Sequence, residues 1–143
     1  MPTLRATRLL SSCLLATVSF MPCALAESIN SRSIQGAWVE ANIACEKAFT
    51  LEGKTASFRR PIDIFVPALI VSGSSLKTPG ASCRIRRISD AAVKGRKEVS
   101  LSCATGVAVD DVKVQLSIAL DGALYRYADD QDSVGRRYER CSH

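Results

Sequence analysis

Apolar and polar residues alternate most strictly between Val112 and Leu120. Val112, Val114, Leu116, Ile118 and Leu120 interleave with Lys113, Gln115, Ser117 and Ala119, a period of two that predicts a strand with one buried face. Asp121-Gly122 follows, a dipeptide that readily takes the positive φ values of a two-residue hairpin turn. A second strand over Ala123 to Ala128 would then pair Ile118 with Tyr125 and Leu116 with Tyr127. That register puts both tyrosines in the core and Arg126 outside.

Ser82 to Ile88 and Glu98 to Thr105 are enriched in Ile, Val, Leu and Cys and read as a further hairpin. In its simplest register Cys83 faces Cys103, Ile85 faces Leu101 and Arg87 faces Val99. Shorter runs fall at Ile34 to Glu40, Ala56 to Arg60, Ile62 to Val66, Ala68 to Val71 and Arg136 to Cys141, with Pro61 and Pro67 breaking the middle group. Cys45, Ala48 and Phe49 share a helical face, which predicts one short helix near 43–49. No long helical pattern occurs. About eight short strands with turn signals between them predict an all-β fold, a small antiparallel barrel or sandwich. Its expected core includes Trp38, Leu116, Ile118, Tyr125 and Tyr127.

The first 26 residues read as a signal peptide. Arg5 and Arg8 precede the apolar stretch Leu9 to Phe20, and Ala24-Leu25-Ala26 supplies a small-x-small cleavage pattern. The stretch is short of the ~20 residues a membrane span needs, and Pro22 follows it. Leu10-Ser11-Ser12-Cys13 loosely matches a lipidation box, so a lipid anchor on Cys13 is a minor alternative. Residues 27–33 are polar and expected to be a flexible segment, leaving 34–143 as a single β domain exported to the periplasm or beyond. Two of the 19 basic residues leave with the signal peptide, so the net charge falls from +5 to +3. No aromatic residues interleave with the basic ones as a stacking platform would require, so a nucleic-acid partner is not expected.

Cys45, Cys83, Cys103 and Cys141 remain, an even number that suits two disulfides in an exported chain. Three connectivities are open, and four convergent thiols on zinc are the competing reading. The hairpin register favours Cys83 with Cys103 across the strands. Cys45 would then join Cys141 and tie the start of the domain to its end, contributing on the order of 4 kcal/mol in the chain-entropy account.

Ile34-Gln35-Gly36-Ala37-Trp38 resembles the G-x-W opening of lipocalin-like small barrels, a group that includes bacterial periplasmic protease inhibitors. The match covers these five residues. It implies a barrel that binds something, with Gly36 and Trp38 at one end and the tryptophan packed across the strands.

Side-chain chemistry argues against an enzyme and calls for no cofactor or metal. The sole histidine, His143, is the last residue, so no positioned base is available for Ser-His-Asp or Cys-His arrangements. Asp110-Asp111 and Asp129-Asp130-x-Asp132 sit at expected strand ends, where aspartate is an ordinary turn residue. Asp130-x-Asp132-x-Val134-Gly135 partly matches a calcium loop, but Val134 replaces the third oxygen ligand and a polar hairpin loop is the expected reading. Arg84, Arg86, Arg87, Lys94, Arg96 and Lys97 face Asp90 alone, and a hairpin carrying them could dock on an acidic protein, an envelope polymer or an anionic surface. The leading functional expectation is a non-enzymatic, inhibitor-like binding module of the cell envelope. The alternatives are a periplasmic carrier of a small apolar ligand and a purely structural envelope protein. A carrier requires an unfilled interior; an inhibitor requires a loop or terminus shaped to enter its partner.

Overall fold

The computed structural model describes residues 30–53 and 55–141; the expected signal peptide, with Cys13, lies outside them. In chain order the elements are β1 (Gly36–Glu40), α1 (Cys45–Ala48), β2 (Phe49–Glu52), β3 (Thr55–Phe58), β4 (Ala68–Ser72), β5 (Ser75–Thr78), β6 (Ala81–Asp90), β7 (Lys97–Ala104), β8 (Val109–Ile118), β9 (Leu124–Tyr127) and β10 (Arg136–Arg140). Eight of the strands close into one antiparallel barrel in the order β1-β10-β9-β8-β7-β6-β5-β4, and β2 and β3 form a separate hairpin. Of the two expected architectures the chain adopts the barrel. Closure leaves these strands no free edge.

Disulfides join Cys83 to Cys103 and Cys45 to Cys141. The first links directly opposed residues of β6 and β7, in the expected register. That register slips by one beyond Ile85, so Arg87 faces Ser100 and Ile88, rather than Arg87, faces Val99. The bulge has a clear physical basis. It keeps Ile85 and Ile88 against the interior while Arg86 and Arg87 both stay in water.

The β8–β9 hairpin departs further from expectation. Ala119 N–H donates to Ala123 C=O and Gly122 N–H to Ala119 C=O, each at 2.9 Å, closing a three-residue loop with Gly122 at φ 82°. The loop is one residue longer than the two-residue turn that Asp121-Gly122 suggests. Tyr125 therefore pairs with Ser117 and Tyr127 with Gln115. A slip of one residue exchanges the faces of a strand. Leu124 turns into the core and Arg126 joins the inner face, while Tyr125 and Tyr127 lie outside, stacked 6.4 Å apart. The expected placement of both tyrosines in the core is corrected; Trp38 and Leu116 are buried there and Ile118 packs against them.

The stretch Ile62 to Val66 is also not a strand. It is an exposed loop between Pro61 and Pro67, turned by Asp63, whose carboxylate accepts the Phe65 N–H at 2.9 Å. The hairpin β2–β3, of which the run Ala56 to Arg60 marked only the second strand, and the helix α1 cover the outer face of β1 and β4. There Ala37, Val39, Ala48, Phe49 and Ala68 form a second core around Cys141, with Phe49 and Phe58 stacked at 5.5 Å.

One end of the barrel is sealed at the start of β1. Trp38 and Ile34 are wholly buried, and the indole N–H donates to Ile34 C=O at 2.9 Å. The Arg140 guanidinium lies 4.1 Å from the Trp38 ring and donates to Ser33 C=O at 2.9 Å and to Gln35 C=O. Asn30 Oδ1 accepts the N–H groups of Arg32 and Ser33, so the described part of the segment expected to be flexible is a hydrogen-bonded turn. Gly36 has a conformation and a contact that explain the glycine of the motif: φ is 118°, and a Cβ there would stand 2.9 Å from Arg140 Nη1. Gly36→Val should therefore lower stability by about 1–3 kcal/mol, measured by urea unfolding with both disulfides intact. Gly80→Ala, where a Cβ meets open space, should stay within about 0.5 kcal/mol of the parent.

Candidate functional site

The opposite end of the barrel is open. Its interior holds a cavity of about 480 Å³, within the range of roughly 300–1,000 Å³ occupied by small-molecule sites. Ile34 forms the floor above the Trp38 seal, and Leu69, Val71, Leu76, Leu101 and Leu116 form the walls. The Cys83–Cys103 bridge is part of the wall. Ile64 and Val66 of the β3–β4 loop, Pro79 and Gly80 of the β5–β6 turn and Thr105 after β7 surround the mouth.

The cavity follows from which side chains face inward. An eight-stranded barrel is just wide enough for its own side chains to fill it. Here the wall is built of medium-sized aliphatic residues and cysteines, and the two aromatic inward residues, Trp38 and Tyr138, stand on the neighbouring strands β1 and β10. The rings of Tyr125 and Tyr127 would have occupied this space; the β8–β9 register puts them on the outer surface instead.

Three charged side chains reach the cavity: Asp110, Arg126 and Arg136. Arg126 and Arg136 are directly opposed across β9 and β10. Arg136 has Glu40 at 3.8 Å. Arg126 forms no ion pair or side-chain hydrogen bond among the described residues. Sequence reasoning missed this pair because it placed Arg126 outside. The available signal was in β10, where Arg136, Tyr138 and Arg140 alternate on one face and Tyr138 is its apolar member.

The basic residues expected to form one docking hairpin are divided. Arg84, Arg86, Arg87 and Lys94 are exposed on β6 and the following loop. Arg96 instead folds over the Tyr127 ring, 3.6 Å from its centre, and donates to Asp129 C=O at 3.2 Å and Asp132 C=O at 2.7 Å. Lys97 is bound to Asp90. An outward Tyr127 supplies the aromatic face that draws Arg96 away from the other arginines.

The acidic β9–β10 loop is held by its own backbone. Asp132 accepts N–H groups from Ala128 at 3.0 Å, Gly135 at 2.9 Å and Val134 at 3.2 Å, and Asp129 Oδ1 accepts those of Gln131 and Asp132. These oxygens serve the turn. The backbone N–H groups, with that of Ala128 foremost, hold the Asp132 carboxyl below the usual aspartate range. The side chain of Arg137, 2.8 Å away, does the same for Asp121 and is itself held in its charged form. A carboxyl lowered in the folded state stabilises above its ordinary value and loses that contribution as pH falls through the folded value. Melting temperatures between pH 7 and pH 2 should accordingly fall below about pH 4. Asp121→Asn/Asp132→Asn should melt lower than the parent at neutral pH and show a shallower acid decline; equal declines would contradict this assignment.

No helix among the described residues is long and apolar enough to cross a membrane. Comparison with known proteins finds no matching family model, no matching curated protein and no matching solved structure.

Proposed function

We propose that this chain is an exported, non-enzymatic binding protein that holds a small apolar or amphipathic molecule inside its barrel. The cavity of about 480 Å³ carries the reading. It is sealed at one end, open at the other and walled by aliphatic side chains, which is the arrangement that removes an apolar ligand from water. The mouth supports it as well. Ile62, Ile64 and Phe65 of the β3–β4 loop, Val107 of the β7–β8 turn and Val109 at the start of β8 are exposed at this end, Phe65 by 86%. Apolar side chains gathered in water mark a binding surface or a ligand entrance.

The inhibitor-like reading has less support. An inhibitor-like module needs a free terminus or loop, whereas Ser33 of the segment 27–33 is held against the barrel's base by Arg140. The basic hairpin retains Arg84, Arg86, Arg87 and Lys94 as exposed cations, and docking on an acidic polymer or protein remains available to that face without involving the cavity. Two disulfides favour an oxidising compartment, in keeping with export.

The test is uptake of a neutral, environment-sensitive dye, N-phenyl-1-naphthylamine, by the oxidised protein. Bound dye should show a blue-shifted, several-fold enhanced emission saturating at one molecule per chain. Leu101→Trp, which fills the cavity from β7, should reduce that enhancement. A folded parent that leaves the dye emission unchanged contradicts the proposal.

A further inference from the structure

We infer that the molecule held in the cavity carries an anionic head, a carboxylate or a phosphate, which Arg126 binds at the mouth while the apolar body lies below. This rests on the cavity reading and specifies its ligand. Arg126 lines the cavity from the inner face of β9, opposed to Leu116 on one side and to Arg136 on the other. Both arginines are exposed to water, which softens the repulsion between like charges directly opposite on neighbouring strands and leaves both heads accessible at the mouth.

The carboxylates nearby do not pair with both arginines. Glu40 stands 3.8 Å from Arg136 and makes no ion pair with Arg126. Asp110 shares the inner line of β8 but lies six residues from Leu116, the cross-strand neighbour of Arg126, about 20 Å along the strand. Two guanidinium groups therefore share one close carboxylate, and the deficit is a single negative charge beside an apolar chamber. A guanidinium accepts a carboxylate or phosphate through paired N–H donors. An amphiphile with such a head would place its charge between Arg126 and Arg136 and its chain against Leu69, Leu101 and Leu116.

The experiment displaces the neutral dye with dodecanoate, dodecanol and dodecyl phosphate, which share one chain and differ in the head. At low salt the anions should compete about tenfold or more better than the alcohol, the scale of a hydrogen bond to a charged group. Which anion leads distinguishes carboxylate from phosphate. With competition referred to each variant's own dye affinity, Arg126→Gln should bring dodecanoate and dodecanol within about twofold of each other, and Arg126→Lys should restore part of the preference. Equal competition by anion and alcohol in the parent, or a preference that survives Arg126→Gln, overturns the anionic head and leaves the cavity reading standing. Absence of dye binding by folded protein overturns both.

Discussion

The stack of Arg140 on Trp38 is the contact on which the rest of the barrel depends. It joins the first barrel strand to the last at the place where the sheet closes on itself, and the same guanidinium holds the incoming chain through Ser33 and Gln35. Trp38 is wholly buried and Arg140 is exposed, a setting in which a cation on an indole ring contributes about 0.5–1 kcal/mol. Gly36 is part of the same unit, because a side chain there would occupy the position of Arg140. The neighbouring Cys141 adds a covalent tie to Cys45 on the outer side, and its N–H bonds to Ala37 C=O at 2.8 Å. With one end fastened inside and out, the other end is free to stay open.

That division between a sealed base and an open mouth gives the interior its character. Burial of Trp38, Ile34, Leu124 and Val99 near the base and middle supplies the apolar area that stabilises a small domain. Above the base the aliphatic wall, with Leu69, Leu101 and Leu116, leaves a cavity of about 480 Å³ along the axis. The second core under α1 and the β2–β3 hairpin buries further apolar surface outside the barrel. The fold therefore does not rely on filling its centre.

Most barrel strands were legible as apolar or alternating runs, Val112 to Leu120 most strictly, whereas the four-residue β5, Ser75–Thr78, was not. The Cys83–Cys103 bridge was legible because the hairpin pattern put both residues on one face at opposed positions. What escaped was decided by single residues in turns. One extra loop residue around Gly122 moved Tyr125 and Tyr127 outward, and that in turn drew Arg96 onto Tyr127 and brought Arg126 inside. One bulge after Ile85 moved Arg87 to Ser100. Register depends on turn geometry that local composition specifies weakly, and here it decides whether the interior is filled. Of the hairpin β2–β3 only the second strand was legible, in the run Ala56 to Arg60; both strands are four residues long and pack on the barrel's outer face, so tertiary contact rather than a long alternating pattern defines the pairing. The G-x-W residues found their physical role at the sealed base, whereas the mouth arginines could be placed only once the register was known.

The central claim is that the barrel holds an unfilled, largely apolar chamber above the Trp38 seal, open at the opposite end. Xenon enters apolar cavities of this kind and is electron-dense, so diffraction from crystals of the oxidised protein under xenon pressure tests the claim most directly. The account predicts xenon density between Leu69, Leu101 and Leu116, with the Arg140–Trp38 stack undisturbed. An interior closed by contacts across the axis, with no xenon bound there, would contradict it.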